Sequence, residues 1–247
     1  VVRGLPTSEE TYRTTVALPG IVPADDPSCT GTLISPRVVL TAAHCLAPVI
    51  WGLATQAEVT ARTITVFDSL NTRDPAQGFI VTSLDTIVHP DWNGTIDNNW
   101  VDSSDLGVVV LSRPIEDRAP SPIVRDPAHD AVGTPFALVG YGADNLNDAI
   151  ELAYGEKYVR ENHPSITCET PNGFGDAVLS DATTICFDTQ SGGTCSGDSG
   201  GPAFVDVAGI PTLAGATSFG TLGCDLYGVD TRVYAYRDWI DTVLIAA

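Results

Sequence analysis

Three short segments carry side chains whose chemistry could combine. Cys195-Ser-Gly-Asp-Ser199-Gly-Gly-Pro202 places a serine between glycines. Glycine on either side lets the backbone turn through positive φ and lets a substrate carbonyl come close. It also leaves main-chain N–H groups free to face a developing oxyanion. Leu40-Thr-Ala-Ala-His44-Cys45 offers a histidine beside a cysteine, and Ser103-Ser-Asp105-Leu-Gly-Val-Val-Val-Leu111 sets a carboxylate at the mouth of an apolar run. A hydroxyl nucleophile, an imidazole base and an orienting carboxylate are the parts needed for acyl transfer through a covalent intermediate.

Glycine-flanked serines occur in many loops, so chain order has to discriminate. The segment also fits the nucleophile elbow of α/β-hydrolases, in which the acid and then the histidine follow the serine. The four histidines are His44, His89, His129 and His163, all upstream of Ser199. That order removes an esterase of the elbow type and leaves His44, Asp105, Ser199. Asp102 competes with Asp105 for the orienting role on spacing alone.

The surrounding pattern must position these groups. Short β-branched runs recur between Gly, Pro, Asp and Asn: Thr30–Ile34, Val38–Leu40, Val59–Val66, Ile80–Ser83, Gly107–Leu111, Phe136–Val139, Ala203–Val207 and Leu213–Ser218. Such punctuation predicts an all-β sandwich or barrel. Helical periodicity appears at the end, where Tyr236, Trp239, Ile240, Val243 and Leu244 share one stripe. The Pro- and Asp-rich stretch Arg113–Gly133 reads as a linker between two halves.

Composition bounds the partners. Thirty-one acidic against twelve basic residues give a net charge of −19 over 247 residues, and Lys157 is the sole lysine. Such a surface repels phosphate backbones, so nucleic acid is not expected as a partner. No apolar run approaches the ~20 residues that span a bilayer, so no membrane partner is expected. The lack of any methionine, an initiator included, predicts a mature chain whose leader has been removed. Six cysteines admit fifteen pairings, and their placement argues for local ones: Cys29 with Cys45, Cys168 with Cys186, Cys195 with Cys224. Without a Cys-x-x-Cys pair or a histidine cluster, a structural zinc site does not fit. Three disulfides imply an oxidising compartment, hence secretion, with a periplasm as the alternative. Asn93-Gly94-Thr95 is a glycosylation sequon.

Taken together, the segments resemble the chymotrypsin/trypsin family of serine proteases. The resemblance spans nearly the whole chain: Val1-Val-Arg-Gly4, Cys29-Thr-Gly-Thr-Leu-Ile-Ser35, Thr41-Ala-Ala-His-Cys45, Asp105-Leu106, Val139-Gly-Tyr-Gly142, Gly197-Asp-Ser-Gly-Gly-Pro202, Ser218-Phe-Gly220 and Gly228-Val-Asp-Thr-Arg232. It implies two six-stranded antiparallel β-barrels with the active site between them and a C-terminal α-helix. That is one peptidase domain over 1–247, with barrels at about 15–115 and 130–232 and a helix at 233–245. It implies an endopeptidase in which Ser199 attacks, His44 moves the proton and Asp105 orients the histidine. Gly197 and Ser199 would hold the oxyanion. It further implies that the Val1 ammonium, freed from a zymogen, inserts beside Asp198. The three cysteine pairs are ones the family uses. Expected partners are protein or peptide substrates and protein inhibitors, with the enzyme acting as a monomer.

Specificity departs from the trypsin pattern. The floor position six residues before Ser199 is Gly193, followed by Thr194, rather than an Asp. Ser218, Phe219, Gly220 and Gly228 match the pocket walls, and Asp230 stands where Tyr is common. Its carboxylate could replace the missing floor charge, which favours Arg or Lys, with large apolar or aromatic residues as the alternative. No cofactor is required. No metal site is assigned: calcium is left open at the loop 66–78, which resembles in position a calcium-binding loop of some relatives, and at Asp97, Asp102 and Asp105, but no ordered ligand pattern supports it. A non-catalytic binding protein on the same scaffold is the competing class.

Overall fold

A computed structural model describes residues 1–8, 10–19, 27–72, 74, 77–94, 104–144, 156–163, 179–221 and 223–247. In chain order the strands are β1 (Leu5–Pro6), β2 (Thr15–Pro19), β3 (Pro27–Ser35), β4 (Val38–Thr41), β5 (Ile64–Phe67), β6 (Phe79–Val88) and β7 (Gly107–Leu111). They continue as β8 (Phe136–Gly140), β9 (Tyr158–Asn162), β10 (Thr184–Asp188), β11 (Pro202–Val207), β12 (Ile210–Gly220) and β13 (Tyr227–Arg232). Among the described residues α1 (Gln56–Arg62) lies between β4 and β5, and α2 (Arg237–Ala246) follows β13.

Strands β2-β3-β4-β7-β6-β5 close into a barrel, every pair antiparallel. Its interior is filled by Val16, Leu18, Leu33, Val39, Phe67, Val81, Val109 and Leu111. The expected run Val59–Val66 is a strand only from Ile64, because Thr55 and Glu58 close a capping box that starts α1. The Thr55 hydroxyl accepts the Glu58 N–H while the Glu58 carboxylate accepts the Thr55 N–H, satisfying two donors of a nascent helix. Val59 then buries against the barrel core.

The second half is a seven-stranded antiparallel sheet ordered β1-β9-β8-β11-β12-β13-β10. Six of these strands, β8 to β13, are the expected second set. The addition is Leu5–Pro6, which pairs Leu5 with Val159 on the β9 edge. Phe136, Leu138, Ile185, Phe187, Ala203, Val205 and Ala214 make its core. A third cluster joins the halves: Val38, Leu40, Leu106 and Val108 from the barrel pack on Val139, Phe204, Leu213 and Ala216. This is why the run Gly107–Leu111 is buried at every position, since one face of β7 lines the barrel and the other lines the seam.

Residues between β7 and β8 strap the halves together, with Ser121 N–H on Leu33 O and Val124 N–H on Leu213 O. The C-terminal helix is shorter than its sequence stripe, since Val233–Tyr236 form a 3-10 turn before it. Ile240 and Val243 bury into the seam. No helix among the described residues is long and apolar enough to cross a membrane.

Candidate active site

His44 lies in a one-turn 3-10 helix, Ala43–Cys45, directly after β4. Asp105 lies directly before β7, the strand paired with β4, with Thr41 opposite Gly107. Neighbouring strand ends therefore deliver both groups to one rim. The pair is close: Asp105 Oδ2 is 2.8 Å from His44 Nδ1, and Oδ1 accepts the His44 main-chain N–H at 2.9 Å. One carboxylate thus fixes both the ring and the backbone of the histidine. Burial alone would raise the Asp105 pKa. The charge of His44, the hydrogen bond from its ring, the Ser218 hydroxyl and the His44 N–H outweigh burial and hold the carboxyl below its usual range. With Nδ1 donating to that anion, the neutral ring keeps its lone pair on Nε2.

Ser218 reaches Asp105 because of a β-bulge. The β12–β13 register shifts between Thr217 and Phe219, so Ser218 is the extra residue whose side chain is re-aimed. Its hydroxyl donates to Asp105 Oδ2.

Ser199 sits on a tight turn in which Gly201 N–H donates to Asp198 O at 2.7 Å and Asp198 N–H to Cys195 O at 2.9 Å. Gly197 and Gly200 have φ of 91° and 75°, and a Cβ on Gly200 would come within 2.0 Å of the Thr41 hydroxyl. Glycine is obligatory there. That approach carries Ser199 to the His44 rim: Thr30 N–H donates to Ser199 O at 2.8 Å, and the Cys45 sulfur lies 3.6 Å from the same oxygen. Cys45 has no S–H to donate, since it is bonded to Cys29. Among the described residues the N–H groups of Gly197 and Ser199 have no protein acceptor, which leaves both free for an oxyanion.

Beneath this turn the chain terminus is wholly buried. The Val1 ammonium is 2.9 Å from Asp198 Oδ2, both side chains at 0% exposure, and it also donates to Ala143 O at 3.0 Å. Asp198 further accepts N–H groups from Gly142 at 2.8 Å and Cys195 at 2.9 Å. A Cβ on Gly140 would lie 2.1 Å from Asp198 Oδ1, so only glycine makes room for the carboxylate. Hydrogen bonds on every side are what let a charge pair survive burial.

A family model described as Trypsin matches residues 2–240. The chain belongs to the trypsin family. It is a serine endopeptidase of that family, and the family's chemistry needs no cofactor. Among similar curated proteins, brachyurin of Leptuca pugilator is 33% identical over 222 residues, 87% of this chain and 86% of that protein. The chymotrypsin-like elastase family member 1 of Felis catus is 30% identical over 230 residues, 88% of this chain and 79% of its own. Its Bos taurus counterpart is 29% identical over 227 residues, with the same coverage of 88% and 79%.

In this trypsin-family chain the residues expected at the specificity pocket lie on the loop after β10 and on the paired strands β12 and β13. Val2 N–H donates to Gly193 O at 2.8 Å, so the segment that holds Asp198 also anchors the residue expected at the pocket floor. The space above Gly193 is occupied. A Cβ there would lie 2.5 Å from Thr189 Cγ2, and one on Gly228 would lie 2.9 Å from the Thr194 hydroxyl. A Cβ on Gly220 would likewise lie 2.7 Å from Tyr227 O, while Phe219 is half-buried beside Val229. Sequence reading missed Thr189, because no motif contains it although it lies four residues before Gly193.

Asp230 is not an accessible floor charge. It is fully buried on β13, with Gly215 against it and neither carboxyl oxygen hydrogen-bonded. Burial raises its pKa to about 8; the Thr217 hydroxyl opposite works against the rise, and the Asp198 charge adds to it. At neutral pH it is therefore a protonated acid.

The calcium expectation meets a similar obstacle. In loop 66–78 the Asp68 carboxylate is taken bidentately by Arg118, at 2.7 Å twice, and by Arg13 at 3.2 Å. Among the described residues one side-chain cluster has metal-ligand spacing, Cys29, His44 and Cys45, and its two sulfurs are bonded to each other. Asp97 and Asp102 lie outside the described residues. Cys195 is joined to Cys224, and Cys186 is disulfide-bonded; Cys168, its expected partner, is outside the described residues, as is Thr95 of the sequon.

Proposed function

We propose that residues 1–247 form one secreted peptidase domain, acting as a monomer on protein and peptide substrates and open to protein inhibitors. Ser199 Oγ attacks the scissile carbonyl as its proton passes to His44 Nε2. His44 then protonates the leaving amine, and a water repeats the cycle on the acyl-enzyme. Asp105 holds the histidine tautomer and stabilises the imidazolium. The N–H groups of Gly197 and Ser199 receive the oxyanion, each donor worth about 3 kcal/mol in the transition state. The Val1–Asp198 pair shapes that loop. The observation that carries this reading is the double grip of Asp105 on His44, through ring and backbone together. Disulfides support an oxidising location.

For the residue before the cleaved bond, a large apolar or aromatic side chain is the reading best supported. The floor is neutral, formed by Thr189, Gly193 and Thr194, and two glycines keep the walls thin. The relatives named as elastases point away from basic residues too. Arg or Lys through Asp230 is the second reading. It requires the pocket to open onto this buried carboxyl and the acid to ionise, and the lack of a partner there is what an incoming cation would relieve. Peptide anilides differing only in the cleaved residue separate the two. Faster turnover after Phe or Leu than after Arg is the expected result, and the reverse order would sink the neutral-floor reading in favour of Asp230.

A further inference from the structure

Thr30, on β3, is wholly buried, and each of its hydrogen-bonding atoms is committed to the neighbourhood of the catalytic loop. Its hydroxyl donates to Gly197 O at 3.0 Å and accepts the Tyr141 N–H at 3.2 Å. Its N–H donates to Ser199 O at 2.8 Å, and its carbonyl accepts the Thr41 hydroxyl at 2.8 Å. Gly197 O belongs to the peptide unit linking Gly197 to Asp198, whose other end, the Asp198 N–H, is held by Cys195 O at 2.9 Å. That peptide plane is therefore pinned at both edges. It also sits between the two N–H groups that receive the oxyanion, those of Gly197 and Ser199. Gly197, at φ 91°, has no side chain to resist rotation, so hydrogen bonds must supply the restraint.

We propose that Thr30 is a positioning residue, its hydroxyl setting the peptide between Gly197 and Asp198 so that both oxyanion donors converge. This rests on the serine mechanism proposed above. The partner atoms come from opposite sides of the seam. Thr30 belongs to the first barrel, one residue from the Cys29 that is bonded to Cys45 beside His44. Tyr141 lies between Gly140 and Gly142, the glycines that pack around Asp198. One hydroxyl thus registers the base-bearing half against the oxyanion-bearing half. The Thr30 Cβ is 3.1 Å from where a Cβ on Gly201 would sit, so Val, similar in shape, is the substitution that removes the hydroxyl with least disturbance.

The experiment compares Thr30→Val, Thr30→Ser and Thr30→Ala, each checked for folding by circular dichroism and melting. Each is assayed with the best anilide substrate and with a matching peptide aldehyde and peptide alcohol as inhibitors. The aldehyde forms a tetrahedral adduct with the serine, and the alcohol does not. Removing the hydroxyl should lower kcat by about tenfold with KM within about twofold. Aldehyde affinity should fall by the same factor while alcohol affinity holds, and Thr30→Ser should recover most of the rate. The proposal is overturned by an unchanged kcat in a folded Val or Ala variant, by equal weakening of aldehyde and alcohol, or by a Ser variant no better than Val. Should Val fail to fold, Ala is read in the same way. A Ser199→Ala variant that still hydrolyses substrate would instead overturn the serine mechanism itself.

Discussion

The His44 side of the cleft rests on a closed barrel, a disulfide and a low-pKa carboxylate, whereas the Ser199 side rests on a buried ammonium–carboxylate pair and a run of glycines. On the first side, β4 and β7 end together and Cys29–Cys45 ties the histidine turn to β3, so apolar packing carries most of the geometry. On the second side the catalytic turn has little side-chain packing of its own. Asp198 gathers the Val1 ammonium and two main-chain N–H groups, and Gly140, Gly142 and Gly200 give way to it and to the neighbouring strand. The difference teaches where control can be exercised. A side held by packing is present once the barrel folds, while a side held by a terminal charge depends on that terminus being free.

Breaking each side separately should expose the contrast. Asp105→Asn leaves the barrel folded but favours the wrong histidine tautomer, and kcat should fall by about ten-thousandfold. A fall below tenfold would mean that the grip on His44 is not what orients it. One residue added before Val1 removes the ammonium from Asp198 and strands a buried carboxylate, a loss of about 3–5 kcal/mol that should appear as a hundredfold or greater drop in kcat/KM. Hydrogen exchange should then rise in 140–144 and 193–201 and stay unchanged in β4 and β7. Exchange rising equally on both sides would erase the distinction.

The smallest effect concerns Asp230, the second buried acid on the Ser199 side. Its folded pKa is raised to about 8 from 3.8, so between those values the unfolded chain has lost a proton that the folded chain keeps. Stability from this group is full below about pH 4, declines as pH rises and is gone above about pH 8. Asp230→Asn should flatten that dependence, with melting a few degrees higher than the parent at pH 8 and a smaller difference at pH 4.5. Parallel melting curves across that range would show that Asp230 is ionised in the folded chain.

Legibility in the sequence followed the range of the interactions involved. His44, Asp105 and Ser199 stand in local motifs whose glycines, apolar runs and chain order are visible residue by residue. Strands with long β-branched runs, such as Gly107–Leu111, were equally plain. Val59–Val66 misled because β-branched content outweighed Thr55 and Glu58, although a capping box was there to be read. Asp230 misled differently. A position in the chain fixes which strand a side chain belongs to, while the face it takes depends on pairing with Thr217 and Ile185 across β12 and β10. The Thr30–Gly197 contact was hidden for the same reason, since 167 residues separate the two, whereas Thr189 lies close to Gly193 in sequence but in no motif.

The central claim, that Ser199 is a nucleophile activated by His44, is tested most directly by a serine-directed fluorophosphonate followed by peptide mass mapping. The account predicts one adduct, on Ser199, forming at neutral pH in the parent chain and lost in His44→Ala. A protein left unlabelled, a label on another residue, or equal labelling without His44 would contradict it.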